Sequence, residues 1–126
     1  MDNKLKTLLI VEDEGTLLQT LSDKFSNEQL NVLEAKDGKI GLDIALKEQP
    51  DLILLDIVMP NMDGITMLKK LRENEWGKSV KVMILTNLSD GEKVSEAFEM
   101  DTFEFLVKSD WKLEDVVLKI KDSLGL

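Results

Sequence analysis

Four short apolar runs in this chain each stop at a polar residue: TLLIV at Glu12-Asp13, LILL at Asp56, VMIL at Thr86 and FLV at Lys108. Runs of this length, bounded by polar residues and rich in Val, Ile and Leu, read as β-strands, and unbroken apolar strands belong to parallel sheets covered on both faces. In open α/β sheets, functional groups collect outside the carboxyl ends of the strands. Four strand ends carrying ionisable or hydroxyl groups therefore point to one polar cluster.

Helix-period segments alternate with these runs, which is the pattern of βαβ units. Glu14 to Asn27 places Leu17, Leu18, Leu21 and Phe25 at helical spacing, and Gly38 to Lys47, after LNVLEA, puts Ile40 and Ile44 on one face. A Pro60/Gly64 loop precedes a third helix bearing Ile65, Leu68 and Leu71. Ser89 to Glu92 has the form of a capping box and opens a fourth helix with Val94, Ala97 and Phe98. Leu113, Val116, Val117, Ile120 and Leu124 form the fifth amphipathic stripe.

Runs one, three and four are almost wholly apolar and read as central strands. LNVLEA and FEFLV interleave polar residues and read as edges. The expected fold is α/β, a flavodoxin-like doubly wound (βα)5 domain over residues 1–126, with a five-stranded parallel sheet of order 2-1-3-4-5 and helices on both faces. Its switch point lies between strands one and three, beside Asp13 and Asp56. The second strand, ending at Ala35-Lys36, is the one without a polar site residue and lies farthest from the site.

Composition excludes several chemistries. The chain has 126 residues, enough to bury a core without staples. It contains no cysteine and no histidine, which rules out disulfides, Cys-based zinc sites and His-dependent triads. A net charge of −9 argues against direct nucleic-acid binding. The amino end, MDNKLKTLLIVEDE, is too short in its apolar run for a signal peptide or membrane span, so a cytoplasmic protein without membrane insertion is expected. The absence of a linker after Leu126 favours a stand-alone domain over one cut from a longer chain.

Glu12, Asp13 and Asp56 would converge as three carboxylates, and like charges that close are costly unless a cation joins them. Mg²⁺, a hard ion that takes carboxylate, water and phosphate oxygens, suits such a set. A carboxylate can also attack phosphorus to give an aspartyl phosphate, and Asp56 is best placed for this. Lys108 and the Thr86 hydroxyl could then each meet a phosphoryl oxygen. Taken singly, each residue has a plainer reading: Asp13 could cap the first helix, Asp56 could be a turn aspartate, and Lys108 and Thr86 are common surface and strand residues. Met59, Met62, Met67 and Met83 read as packing or loop residues.

Over essentially its full length the chain resembles the receiver domains of two-component response regulators, through LLIVEDE, LILLDIVMPNMDG, ILTN and FEFLVKS in order. The resemblance implies that Asp56 accepts a phosphoryl group from a histidine kinase or histidine phosphotransfer protein. Asp13, Asp56 and the backbone carbonyl of Val58 would hold Mg²⁺, for which Mn²⁺ could substitute, with Glu12 acting mostly through water. Thr86 and Phe105 would form the switch, changing a face made by the fourth helix, fifth strand and fifth helix that engages a downstream protein. Such a chain is a phosphoacceptor that assists its own phosphorylation and slow dephosphorylation, not a turnover enzyme. It would be a monomer or a phosphorylation-dependent dimer.

Several positions depart from the family pattern. Ser109 replaces the proline that usually follows Lys108 in a cis peptide, Asn87 is larger than the usual small residue, and Met100-Asp101-Thr102 replaces Gly-Ala before the fifth strand. Val58 and Leu88, two residues beyond Asp56 and Thr86, flank the path of hydrolytic water in the family. Both are apolar here, so slow autodephosphorylation is expected. Trp111 would either cover core or join Phe105 on the output face. Three rival functions compete. A haloacid dehalogenase-type phosphatase would need an acid where Val58 stands, and a flavin binder would face a repelling EDEGT loop. The third rival is a degenerate receiver that acts as a phosphorylation-independent interaction module.

Overall fold

Five parallel strands form one sheet of order β2-β1-β3-β4-β5: β1 Thr7–Val11, β2 Asn31–Ala35, β3 Leu52–Asp56, β4 Lys81–Thr86 and β5 Glu104–Val107. This computed structural model describes residues 5–57, 59, 61–86, 95, 99, 104–107 and 112–126. The expected order and both expected edges are present. Every residue of β3 is buried, whereas β2 is buried only at Ala35, as an outer strand should be.

The period-2 alternation of the apolar strands divides the core in two. Leu8, Ile10, Leu52, Leu54, Met83 and Leu85 point to one face, where Leu18, Leu21 and Phe25 of helix α1, Gly15–Ser26, and Val116, Val117 and Ile120 of the C-terminal helix, Leu113–Ser123, cover them. Leu9, Val11, Ile53, Leu55, Val82 and Ile84 point to the other, beneath α2, Gly38–Glu48, and α3, Gly64–Arg72. Unbroken apolar strands are thus required because both faces are dry. Each large side chain fully withdrawn from water contributes about 1.5–3 kcal/mol. Met59, Met67 and Met83 are buried in these layers, and Met62 packs against one of them.

Helix α2 packs Ile44 against the core as expected but not Ile40. Ile40 is 44% exposed, and the buried residues of the helix are Gly38, Gly41 and Ala45. The cause is close approach: a Cβ on Gly41 would lie 2.9 Å from Val11 Cγ2 and 3.1 Å from Met67 Sδ. Small residues let the helix axis sit on the sheet, which rotates Ile40 outward. The expected stripes of α1 and the C-terminal helix are buried as read.

The fourth helix, with Ser89, Glu92, Val94, Ala97 and Phe98, lies outside the described residues. Ser95 is helical, and the Glu99 N–H donates to the Ser95 carbonyl at 3.3 Å. Among the described residues no helix is long and apolar enough to cross a membrane.

Candidate functional site

Strand register builds the site. Val11 is paired with Leu55, so Glu12 and Asp56 stand side by side one step on, at the carboxyl ends of β1 and β3. The Glu12 N–H continues the ladder to the Ala35 carbonyl at 3.0 Å. Glu12 is fully buried and Asp56 is 3% exposed, while Asp13 faces solvent. Carboxylate oxygens from all three lie within 4.8 Å of one another.

Local hydrogen bonds fix this geometry. Glu12 Oε2 accepts the Glu14 N–H at 2.9 Å, which shapes the turn from β1 into α1. Glu14 is the N-cap residue of α1 and no side chain caps there, so the plain reading of Asp13 as a helix cap is not what the fold uses. The donor set suits a hard divalent cation: three carboxylates close enough to share one ion, two of them sheltered and the third open to water that would complete the shell.

The turn that follows Asp56 is held by backbone contacts. Ile57 N–H reaches Leu85 O at 3.4 Å, and Gly64 N–H donates to Ile57 O at 2.8 Å. Gly64 has no room for a side chain, because a Cβ there would strike the Asp56 carbonyl and lie 2.8 Å from Ile57 Cα. Asp63 caps α3 by accepting the Thr66 N–H at 2.8 Å.

A second loop grips this turn from the far edge. Asp37, two residues beyond β2, is 8% exposed; its Oδ1 accepts the Ile40 N–H at 2.8 Å and its Oδ2 accepts Asn61 Nδ2 at 3.0 Å. The Ile40 N–H and then the Asn61 amide hold its carboxyl below the usual carboxylate range. Beside it, Gly38 N–H donates to Met62 O at 2.9 Å, and a Cβ on Gly38 would collide with that carbonyl. Asn61 adopts φ 66°, a left-handed conformation that asparagine tolerates better than most residues.

Of the residues singled out in the sequence, Glu12, Asp13 and Asp56 are brought together. Thr86 ends β4 one residue after Leu85, the register partner of Asp56, and pairs with Val107; Phe105 pairs with Ile84. Val58, Asn87, Leu88, Lys108, Ser109, Trp111 and Met100-Asp101-Thr102 lie outside the described residues. Asp37, Gly38, Asn61 and Gly64 escaped the sequence reading as site-shaping residues. An Asp-Gly pair opening one helix and an Asn two residues before the Asp-Gly that opens the next were the available signals.

Comparison with known proteins agrees with this architecture. The family model for the response regulator receiver domain matches residues 8–121. Sporulation initiation phosphotransferase F of Bacillus subtilis is 33% identical over 101 residues, covering 80% of this chain and 80% of that protein. Response regulator PleD of Caulobacter vibrioides is 32% identical over 111 residues, 88% of this chain but 24% of the relative, so the chain spans about a quarter of that protein. Among solved structures, a putative response regulator from Chloroflexus aurantiacus superposes with a TM-score of 0.87 at 28% identity, covering 98% of this chain and 100% of the other. The chemotaxis response regulator CheY4 of Vibrio cholerae gives 0.86 at 26%, covering 95% and 99%. With this fold, this acidic cluster and a family match across nearly its whole length, the chain belongs to the response regulator receiver domains of two-component systems.

Proposed function

We propose that this chain is a phosphorylation-operated switch in which Asp56 accepts a phosphoryl group from a histidine kinase or histidine phosphotransfer protein. The observation that carries the reading is the buried Asp56 carboxylate, at a strand end, grouped with Glu12 and Asp13 within 4.8 Å. In the transfer, an Asp56 oxygen forms a bond to phosphorus as the phosphorus–nitrogen bond of the donor phosphohistidine breaks. The electron pair stays on the imidazole nitrogen, and a proton from solvent completes the neutral ring.

Asp13, Asp56 and the Val58 carbonyl would hold Mg²⁺, or Mn²⁺ in its place, with Glu12 ordering a bound water. When bound, the cation would supply Lewis-acid stabilisation that offsets the negative charge gathered there. Lys108 would meet a second phosphoryl oxygen, and the Thr86 hydroxyl would donate to a third. Movement of Thr86 and reorientation of Phe105 would pass the event to the face of the fourth helix, β5 and the C-terminal helix, where a downstream protein or a second copy docks. Asn87, Val58 and Leu88 would tune access to the phosphoryl group. These roles support a cytoplasmic signalling module and not a turnover enzyme.

Intact-mass measurement after incubation with acetyl phosphate and Mg²⁺ tests the reading. Wild type gains one phosphoryl group and Asp56→Asn gains none. A gain that survives the substitution, or none in wild type, overturns it.

A further inference from the structure

We infer that Asp37 and Asn61 act as a positioning pair for the acceptor site, although Asp37 comes from the loop after the edge strand β2, two strands away from the strand that carries Asp56. The inference rests on the phosphoacceptor reading of Asp56 and extends it to a residue outside the Glu12-Asp13-Asp56 cluster.

Four contacts carry it, and they form a chain from the outer edge to Asp56. Asp37 Oδ2 receives Asn61 Nδ2 at 3.0 Å, and the neighbouring Gly38 N–H donates to Met62 O at 2.9 Å. Two residues on, Gly64 N–H donates to Ile57 O at 2.8 Å, and its Cα packs on the Asp56 carbonyl with no space for a methyl group. Ile57 is therefore anchored from one side and Asn61 from the other. In sequence, the proposed carbonyl ligand of Val58 falls between these two anchored residues.

The alternative is that Asp37 serves α2 alone, as its N-cap through the Ile40 N–H at 2.8 Å. That role uses one carboxylate oxygen. The second oxygen is spent on a residue 24 positions away, in a left-handed conformation that a helix cap does not require. A buried carboxylate that engages both loops ties the geometry of one to the other, and groups that orient metal ligands from behind commonly alter metal affinity when removed.

Two substitutions separate the tie from the cap and from the backbone conformation. Asp37→Ser retains a helix-capping oxygen but is too short to reach Asn61; Asn61→Gly retains freedom at positive φ but has no amide. Asp37→Asn serves as rescue, because an amide there can donate to a flipped Asn61 oxygen. Mg²⁺ affinity, read by calorimetry without phosphodonor at a temperature where every variant is folded, is expected to weaken about three- to tenfold in each of the first two. Their double variant should be no weaker than either alone, and Asp37→Asn should stay within about twofold of wild type. The acetyl phosphate rate at subsaturating Mg²⁺ should fall with affinity and recover at saturating Mg²⁺. Unchanged Mg²⁺ affinity in Asp37→Ser and Asn61→Gly, with lowered melting temperatures alone, would overturn the positioning role while leaving the phosphoacceptor reading intact. Failure of wild type to bind Mg²⁺ and to take up phosphoryl would instead sink that reading.

Discussion

The Gly64 Cα rests on the Asp56 carbonyl: its N–H bonds Ile57 O at 2.8 Å, and a Cβ would come within 3.1 Å of the Asp56 carbonyl carbon and closer still to its oxygen. The acceptor residue is thus held from behind by a helix start that no side chain could occupy.

Gly64→Ala sets two effects against each other. Alanine gains about 0.5–1 kcal/mol of helix propensity, whereas forcing a methyl against backbone atoms that cannot rotate away costs about 1–3 kcal/mol. The clash should win, giving net destabilisation in urea titration and a slower reaction with acetyl phosphate. Wild-type stability would show that the turn relaxes freely.

Removing charge from the exposed acid tests the cation site. Asp13→Asn keeps the shape but replaces an anionic oxygen donor with a neutral one, while relieving repulsion with Glu12 and Asp56. Mg²⁺ affinity should drop by about tenfold or more, and stability without Mg²⁺ should rise or hold. Calorimetric titration and thermal melts with and without Mg²⁺ read both. Equal Mg²⁺ affinity in the two proteins would place the ion elsewhere.

Asp37 links stability to acidity. Its folded pKa is lowered, first by the Ile40 N–H and then by Asn61, so its stabilising contribution is complete above the unfolded value of about 4 and disappears as pH falls through the lower folded value. Wild type should exceed Asp37→Asn in stability at pH 7, and the gap should close in the acid range below about pH 4. A gap that persists unchanged at the acid end would mean that the charge on Asp37 contributes nothing.

The phosphoryl lifetime should be long. Neither Val58 nor Leu88 carries a group that could orient an attacking water. Decay of the phosphorylated protein, followed by mass at neutral pH, should take minutes or more, and Val58→Asn should shorten it. A wild-type half-life of seconds would contradict the role given to these side chains.

Much of the fold was legible because apolar residues report burial directly. The unbroken runs of β1, β3 and β4 announced strands covered on both faces, and the mixed composition of β2 announced an edge. The carboxylates were legible for a related reason: Glu12, Asp13 and Asp56 interrupt apolar segments at strand ends, and parallel register brings such ends level. In helix α2 the expected face held at Ile44 and failed at Ile40, because periodicity counts apolar side chains, while packing at that end is governed by the absence of side chains at Gly38 and Gly41.

The sequence by itself determined the layer architecture, the strand order and the identity of the acidic cluster, since these follow from which residues avoid water and where the avoidance stops. Tertiary structure alone decided how the cluster is supported. Asp37 and Asn61 are 24 residues apart, and each is unremarkable in its own segment. Their hydrogen bond exists because α2 and α3 pack on the same face of the sheet and bring their N-terminal loops together, and no local pattern encodes a contact made by two distant turns.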